Sequence, residues 1–92
     1  MTELTRDEKL IVLIEEAGEV IQAATRCLRF GWDRNQPQYG INHRVLACEV
    51  GDLMGMVDAL YLQKDLIKTY RSTKLSKAEV AKDKFGRKQE GD

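Results

Sequence analysis

An all-α fold is expected for this chain of 92 residues, and three features predict it. Two long stretches repeat apolar residues at the helical period. Strand-like alternation is scarce. The single proline lies between the two stretches, not inside either. The expected architecture is two long antiparallel helices plus a short C-terminal helix, completed into a four-helix-bundle core by homo-oligomerisation. One domain should span residues 1–92, with 86–92 as a disordered tail.

The first helix is predicted from Arg6 to Phe30. Thr5-Arg6-Asp7-Glu8 reads Thr-x-x-Glu, a capping box ahead of an apolar run. Leu10, Leu13, Ile14, Ala17, Val20, Ile21, Ala24 and Leu28 form one broad stripe. Val12, Ala23 and Phe30 form a second, narrower strip beside Glu16 and Glu19. A surface helix needs only one apolar face, so the narrow strip suggests that those glutamates are walled by apolar side chains. Gly31 is a stop signal, and Gly31 to Asn42 reads as a loop. Its Trp32 and Tyr39 either pack the loop down or offer a base a stacking surface.

Asn42 is the expected N-cap of a second helix from His43 to about Tyr70. Val45, Leu46, Val50, Leu53, Met56, Val57, Leu60 and Ile67 define its apolar face. Glu49 and Asp52 fall inside that face on a helical wheel, Glu49 between Met56 and Leu60, Asp52 between Ala59 and Val45. Ser72-Thr73-Lys74 reads as a break. Ser76-Lys77-Ala78-Glu79 reads as a second capping box, opening a short helix to about Phe85. The lysines of this end, Lys74 among them, are either solvated or phosphate-facing.

Two acidic words organise these helices: Glu15-Glu16-Ala17-Gly18-Glu19 and Glu49-Val50-Gly51-Asp52. Glu16 and Glu19 share a helix face, as do Glu49 and Asp52, because residues three apart are surface neighbours. Facing each other, the pairs would make a box of four carboxylates. Acids in an apolar stripe are rare unless paired or metal-bound. Oxygen-only ligation suits a hard cation such as Mg²⁺, with Mn²⁺ as a substitute. The structural rival is salt bridging to Arg26, Arg29 or Arg44.

Composition limits the alternatives. Fifteen basic residues balance fifteen acidic ones, so there is no basic excess of the kind a nucleic-acid polymer selects. The first residues are too polar for a signal peptide, and the longest apolar run, Leu10 to Ile14, cannot span a bilayer. Cys27 and Cys48 lack metal-ligand spacing and read as reduced, buried helix residues of a cytoplasmic protein. His43 is the only histidine and is expected at the surface. No Glu-x-x-His pair, phosphate loop or serine elbow is present, so chemistry must rest on carboxylates and metal. Two apolar strips on one helix exceed what a single chain can cover, so a homodimer or tetramer is expected.

With the residues laid out, the chain resembles the MazG-like all-α nucleoside triphosphate pyrophosphohydrolases. Glu15-Glu16-x-x-Glu19 and Glu49-x-x-Asp52, in the strings EEAGEVIQA and EVGDLMGMVDAL, are similar to that family's two helical motifs. The similarity covers roughly Glu8 to Leu62, and the small size resembles phage-encoded members. It implies metal-dependent hydrolysis of a (deoxy)nucleoside triphosphate, possible substrates including dGTP, to the monophosphate and pyrophosphate. It places the chain in nucleotide-pool control, in the cytoplasm, or the host cytoplasm if phage-encoded.

On that footing Glu16, Glu19, Glu49 and Asp52 are the metal ligands. Glu15 or Glu16 is the catalytic carboxylate that orients or deprotonates water. Trp32, Tyr39, Asp58 and Lys74 are substrate-binding candidates. The alternative is a non-catalytic nucleotide- or metal-binding helical dimer.

Overall fold

The first helix forms as its signals predict. In the computed structural model, which describes residues 3–80 and 84–86, α1 runs Arg6–Phe30. The Glu8 backbone N–H donates to Thr5 Oγ1 at 3.1 Å, and the Thr5 N–H donates to Glu8 Oε1 at 2.8 Å. This closes the capping box and satisfies donors that a helix start leaves free. At the far end the Gly31 N–H reaches the Cys27 carbonyl, with Gly31 at φ 109°, a conformation that favours glycine.

The predicted loop contains a small hairpin. Strand β1 (Asn35–Gln36) pairs antiparallel with β2 (Gly40–Ile41), Asn35 opposite Ile41 and Gln36 opposite Gly40. Pro37 and Gln38 turn the chain, the Tyr39 N–H donates to the Gln36 carbonyl at 2.9 Å, and Gly40 at φ 99° completes the reversal. Pre-set φ at proline and positive φ at glycine make this turn cheap. Two residues per strand are too few to leave an alternation that could be read beforehand.

The second helix, α2, is Asn42–Ala59 and therefore shorter than expected. Leu60 and Tyr61 close it: the Leu60 N–H contacts the Met56 and Val57 carbonyls, and the Tyr61 N–H reaches that of Asp58. Tyr61 adopts φ 52°, so a tyrosine does the work of the glycine usually found at a helix end. Lys9 supports this ending. Its Nζ donates to the Ala59 carbonyl at 3.0 Å and lies 5.7 Å from the Tyr61 ring centroid. A cation there also suits the negative end of the helix. None of this is a local signal, because Lys9 is fifty residues away.

Asn42 is also corrected. Ile41 takes the N-cap position without a side-chain cap, and Asn42 is the first residue of α2. Its side chain points back instead. Nδ2 donates to the Gly31 carbonyl at 2.8 Å and, at 3.4 Å, to that of Arg26. Asn42 is 1 % exposed and ties the end of α1 to the start of α2.

The chain divides into two units, Met1–Tyr61 and Leu62–Asp92. The second carries α3 (Lys64–Val80). It starts before the expected break, and it includes Ile67, expected on the second helix, together with Ser72-Thr73-Lys74. Thr73 Oγ1 donates back to the Thr69 carbonyl at 2.9 Å and Ser76 Oγ to that of Ser72 at 3.3 Å. The hydroxyls thus fold onto the preceding turn instead of capping a new helix. Phe85 lies in a short 3₁₀ turn. Apart from Gly86, the expected tail lies outside the described residues.

In the first unit α1 and α2 pack antiparallel. Lys9 meets Ala59, and the Asn42 side chain meets Arg26, so each step along α1 is matched by an equal step back along α2. Part of the narrow strip faces this contact, with Ala23 1 % exposed and Val12 half-buried, whereas Phe30 at its end is 43 % exposed. The outer edge of the broad stripe is left open, with Ile14 69 %, Ile21 66 % and Leu28 88 % exposed. Ala23 and Asn42 are the only fully buried side chains among the described residues. The architecture is therefore mostly helical as expected. No described helix is long and apolar enough to cross a membrane.

A candidate metal centre

The antiparallel register brings the two acidic words together. Both carry their acids three residues apart, so equal steps along the two helices stack Glu16 beside Asp52 and Glu19 beside Glu49. One carboxylate oxygen from each of Glu16, Glu19, Glu49 and Asp52 lies within 4.8 Å of the other three. Asn42 and Arg26, which share a hydrogen bond, stand seven residues from Glu49 and Glu19 respectively. That is two turns, about 10 Å along each helix. The buried asparagine thus pins the register on which the cluster depends.

The environment is less buried than the helical wheel implies. Glu16 and Glu49 are half-buried, while Glu19 and Asp52 are exposed. Two packed helices leave one side of the contact open, so mid-stripe positions on α2 are not enclosed. Yet Glu16 Oε2 and Glu49 Oε2 are shut off from water and lack a hydrogen-bond partner. Loss of water, followed by the charges of Glu19 and Asp52, pushes the Glu16 carboxyl above its ordinary value. Glu49 is pushed up first by its hydrogen bond with Glu19, then by loss of water and the charges of Glu19 and Asp52, with Arg26 opposing. Four clustered carboxylates with no ion pair among them have the donor set a hard cation takes. The two orphaned oxygens fit such an ion.

The salt-bridge rival fails on geometry. Among the described residues the ion pairs within 4 Å are Arg6 with Asp7 and His43 with Asp33. Arg26 and Arg29 lie instead over aromatic rings, Arg26 at 4.1 Å from the Tyr39 centroid and Arg29 at 5.2 Å from that of Phe30. Arg44 lines a groove of ≈ 360 Å³ with Tyr39, Ile41, Val45 and Cys48. Arg44, Cys48 and Asp52 follow one another at four-residue spacing, so that groove and the cluster share a side of α2.

The remaining predicted residues are dispersed. Glu15 is exposed and outside the cluster. Asp58 is exposed near the end of α2. Lys74 belongs to the second unit, where it lines a shallow groove with Arg71, Ser72, Leu75 and Ala78. Trp32 stacks on His43, ring centroids 5.4 Å apart and planes 19° apart. His43 is therefore half-buried, not a surface residue, because the loop folds its tryptophan over it. Cys27 and Cys48 are free thiols; Cys27 is half-buried and Cys48 exposed, again because α2 has an open side.

The contact between Arg26 and Tyr39 escaped the sequence reading. Part of it was legible, since Arg26 lies seven residues beyond Glu19 on the same face. The return of Tyr39 depends on the hairpin and was not. No protein family, curated protein or solved structure matches this chain.

Proposed function

We propose that this protein is a metal-dependent nucleoside triphosphate pyrophosphohydrolase, similar to the MazG-like enzymes, acting in nucleotide-pool control. One observation carries the reading: four carboxylates from two helices converge within 4.8 Å, and two of their oxygens lack any partner. Mg²⁺ or Mn²⁺ bound there would neutralise phosphate charge and make water a stronger nucleophile near neutral pH. Glu16, Glu19, Glu49 and Asp52 hold the cation. Glu16 is the better placed of the two catalytic candidates, because Glu15 stands outside the cluster. It orients the water that attacks the α-phosphorus and accepts its proton as pyrophosphate leaves. Tyr39 and the groove beside it offer the nucleoside a partly apolar seat.

The open edge formed by Ile14, Ile21 and Leu28, with Met54 on α2 also exposed, supports pairing with a second copy. Two copies of the α1–α2 pair would make a four-helix core. The free thiols suit a reducing cytoplasm. Glu19→Gln and Asp52→Asn test the assignment. Each should lower the rate of triphosphate hydrolysis by at least tenfold at saturating Mg²⁺. Rates within about twofold of wild type for both would refute it.

A further inference from the structure

Arg26 is a cation held by an aromatic ring and not by an ion pair. It is half-buried on the α1 face that carries Glu16, Glu19 and Ala23. Its guanidinium lies 4.1 Å from the Tyr39 ring centroid, and no carboxylate among the described residues comes within ion-pair distance. It is nonetheless close enough to Glu49 for its charge to be felt there. An arginine beside four acids would ordinarily collapse onto one of them. Here the guanidinium rests over the aromatic ring instead. At the nearby helix start the Asn42 and His43 N–H groups already donate to the Arg34 and Trp32 carbonyls at 3.0 and 3.1 Å and are not free for an anion.

We propose that Arg26, held over the Tyr39 ring on the α1 face that carries Glu16 and Glu19, is a phosphate-binding residue, and that it grips phosphate oxygens which a cation at the cluster would leave free. This rests on the reading of the cluster as a cation site for a triphosphate. The chemistry is complementary. A triphosphate bound through a cation still carries uncompensated negative charge, and a planar guanidinium takes two phosphate oxygens at once. Contact with the ring restrains the guanidinium before the ligand arrives, so less freedom is lost on binding.

The test uses the full chain, Mn²⁺ and inorganic tripolyphosphate, with binding followed by titration calorimetry. Arg26→Met keeps the length of the side chain and removes its donors. It should bind Mn²⁺ at least as tightly as wild type, since a positive charge near Glu49 is gone. Tripolyphosphate affinity of the Mn²⁺-loaded protein should fall by about tenfold to a hundredfold. Arg26→Lys should restore only part of this, because an ammonium cannot make the paired contact.

Tyr39→Ala should weaken tripolyphosphate severalfold and Tyr39→Phe should not, which decides the matter even if Arg26→Met does not fold. Tripolyphosphate binding within twofold of wild type for Arg26→Met, or for Tyr39→Ala should Arg26→Met not fold, overturns the proposal while leaving the cation site intact. Absence of Mn²⁺ binding by wild type would overturn the cation reading itself, and this proposal with it.

Discussion

Asn42→Ala should unsettle both the fold and the cluster, and its cost can be worked from the structure. The Asn42 side chain is buried and makes one good hydrogen bond, 2.8 Å to the Gly31 carbonyl, and one long one, 3.4 Å to the Arg26 carbonyl. A hydrogen bond of the first kind contributes about 1 kcal/mol net, and the exposed Gly31 carbonyl keeps a second donor, the Arg34 N–H at 3.3 Å, so its loss of Asn42 does not leave it orphaned. Asn42→Ala should therefore destabilise the protein by about 1 kcal/mol. For a domain of this size that lowers the thermal midpoint by roughly 4–8 °C.

Urea denaturation at fixed protein concentration measures the loss without confounding it with self-association. Asn42→Asp is the informative control. An ionised carboxylate facing two carbonyl oxygens can donate to neither, whereas its protonated form can. That carboxyl would have a raised value in the folded state, so its stability should be better at acid pH and be lost as pH rises through that value. Because Asn42 pins the register two turns from Glu49, Mn²⁺ affinity should fall in Asn42→Ala as well. A loss below about 0.5 kcal/mol, with unchanged Mn²⁺ binding, would refute the argument that this side chain sets the register.

Other perturbations follow from the same contacts. Glu16 and Glu49 are both raised from the ordinary value of 4.5, so the folded state binds more protons than the unfolded one. Without metal, the melting temperature should therefore decline as pH rises above about 4.5, and a flat or rising profile would contradict the clustering. Mn²⁺ should reverse that trend, adding roughly 10–20 °C near neutral pH at a hundredfold excess over its dissociation constant. Glu16→Gln or Glu49→Gln should raise the metal-free melting temperature at pH 7 and remove most of the Mn²⁺ response, read by the same thermal scans. Lys9→Met removes the donor to the Ala59 carbonyl and should cost about 1 kcal/mol, with faster amide exchange confined to the end of α2.

What the sequence made legible was local or periodic. The Thr5–Glu8 box is complete within four residues, so the start of α1 could be placed. Equal three-residue spacing in the two acidic words was enough to anticipate the cluster, because antiparallel helices superpose equal spacings. The misplaced end of α2 has the opposite cause. Tyr61 in a positive-φ conformation and Lys9 reaching across from α1 close the helix, and neither leaves a glycine or proline in the text. Asn42 has the composition of an N-cap yet spends its donors on α1, a choice made by tertiary packing. The depth of Glu49 and Asp52 was overread because a helical wheel ranks faces but does not count the helices available to cover them. Two packed helices cover one face, and Asp52 is left open.

Metal-dependent cleavage at the α-phosphorus, the reaction proposed for the cluster of Glu16, Glu19, Glu49 and Asp52, is open to direct assay. It is tested most directly by incubating the purified protein with each common NTP and dNTP, with Mg²⁺ or Mn²⁺ and with chelator, and resolving the products. Monophosphate and pyrophosphate in equal amounts, formed only with metal and lost in Asp52→Asn, is the expected result. Diphosphate and phosphate, or no metal-dependent turnover of any triphosphate, would contradict it.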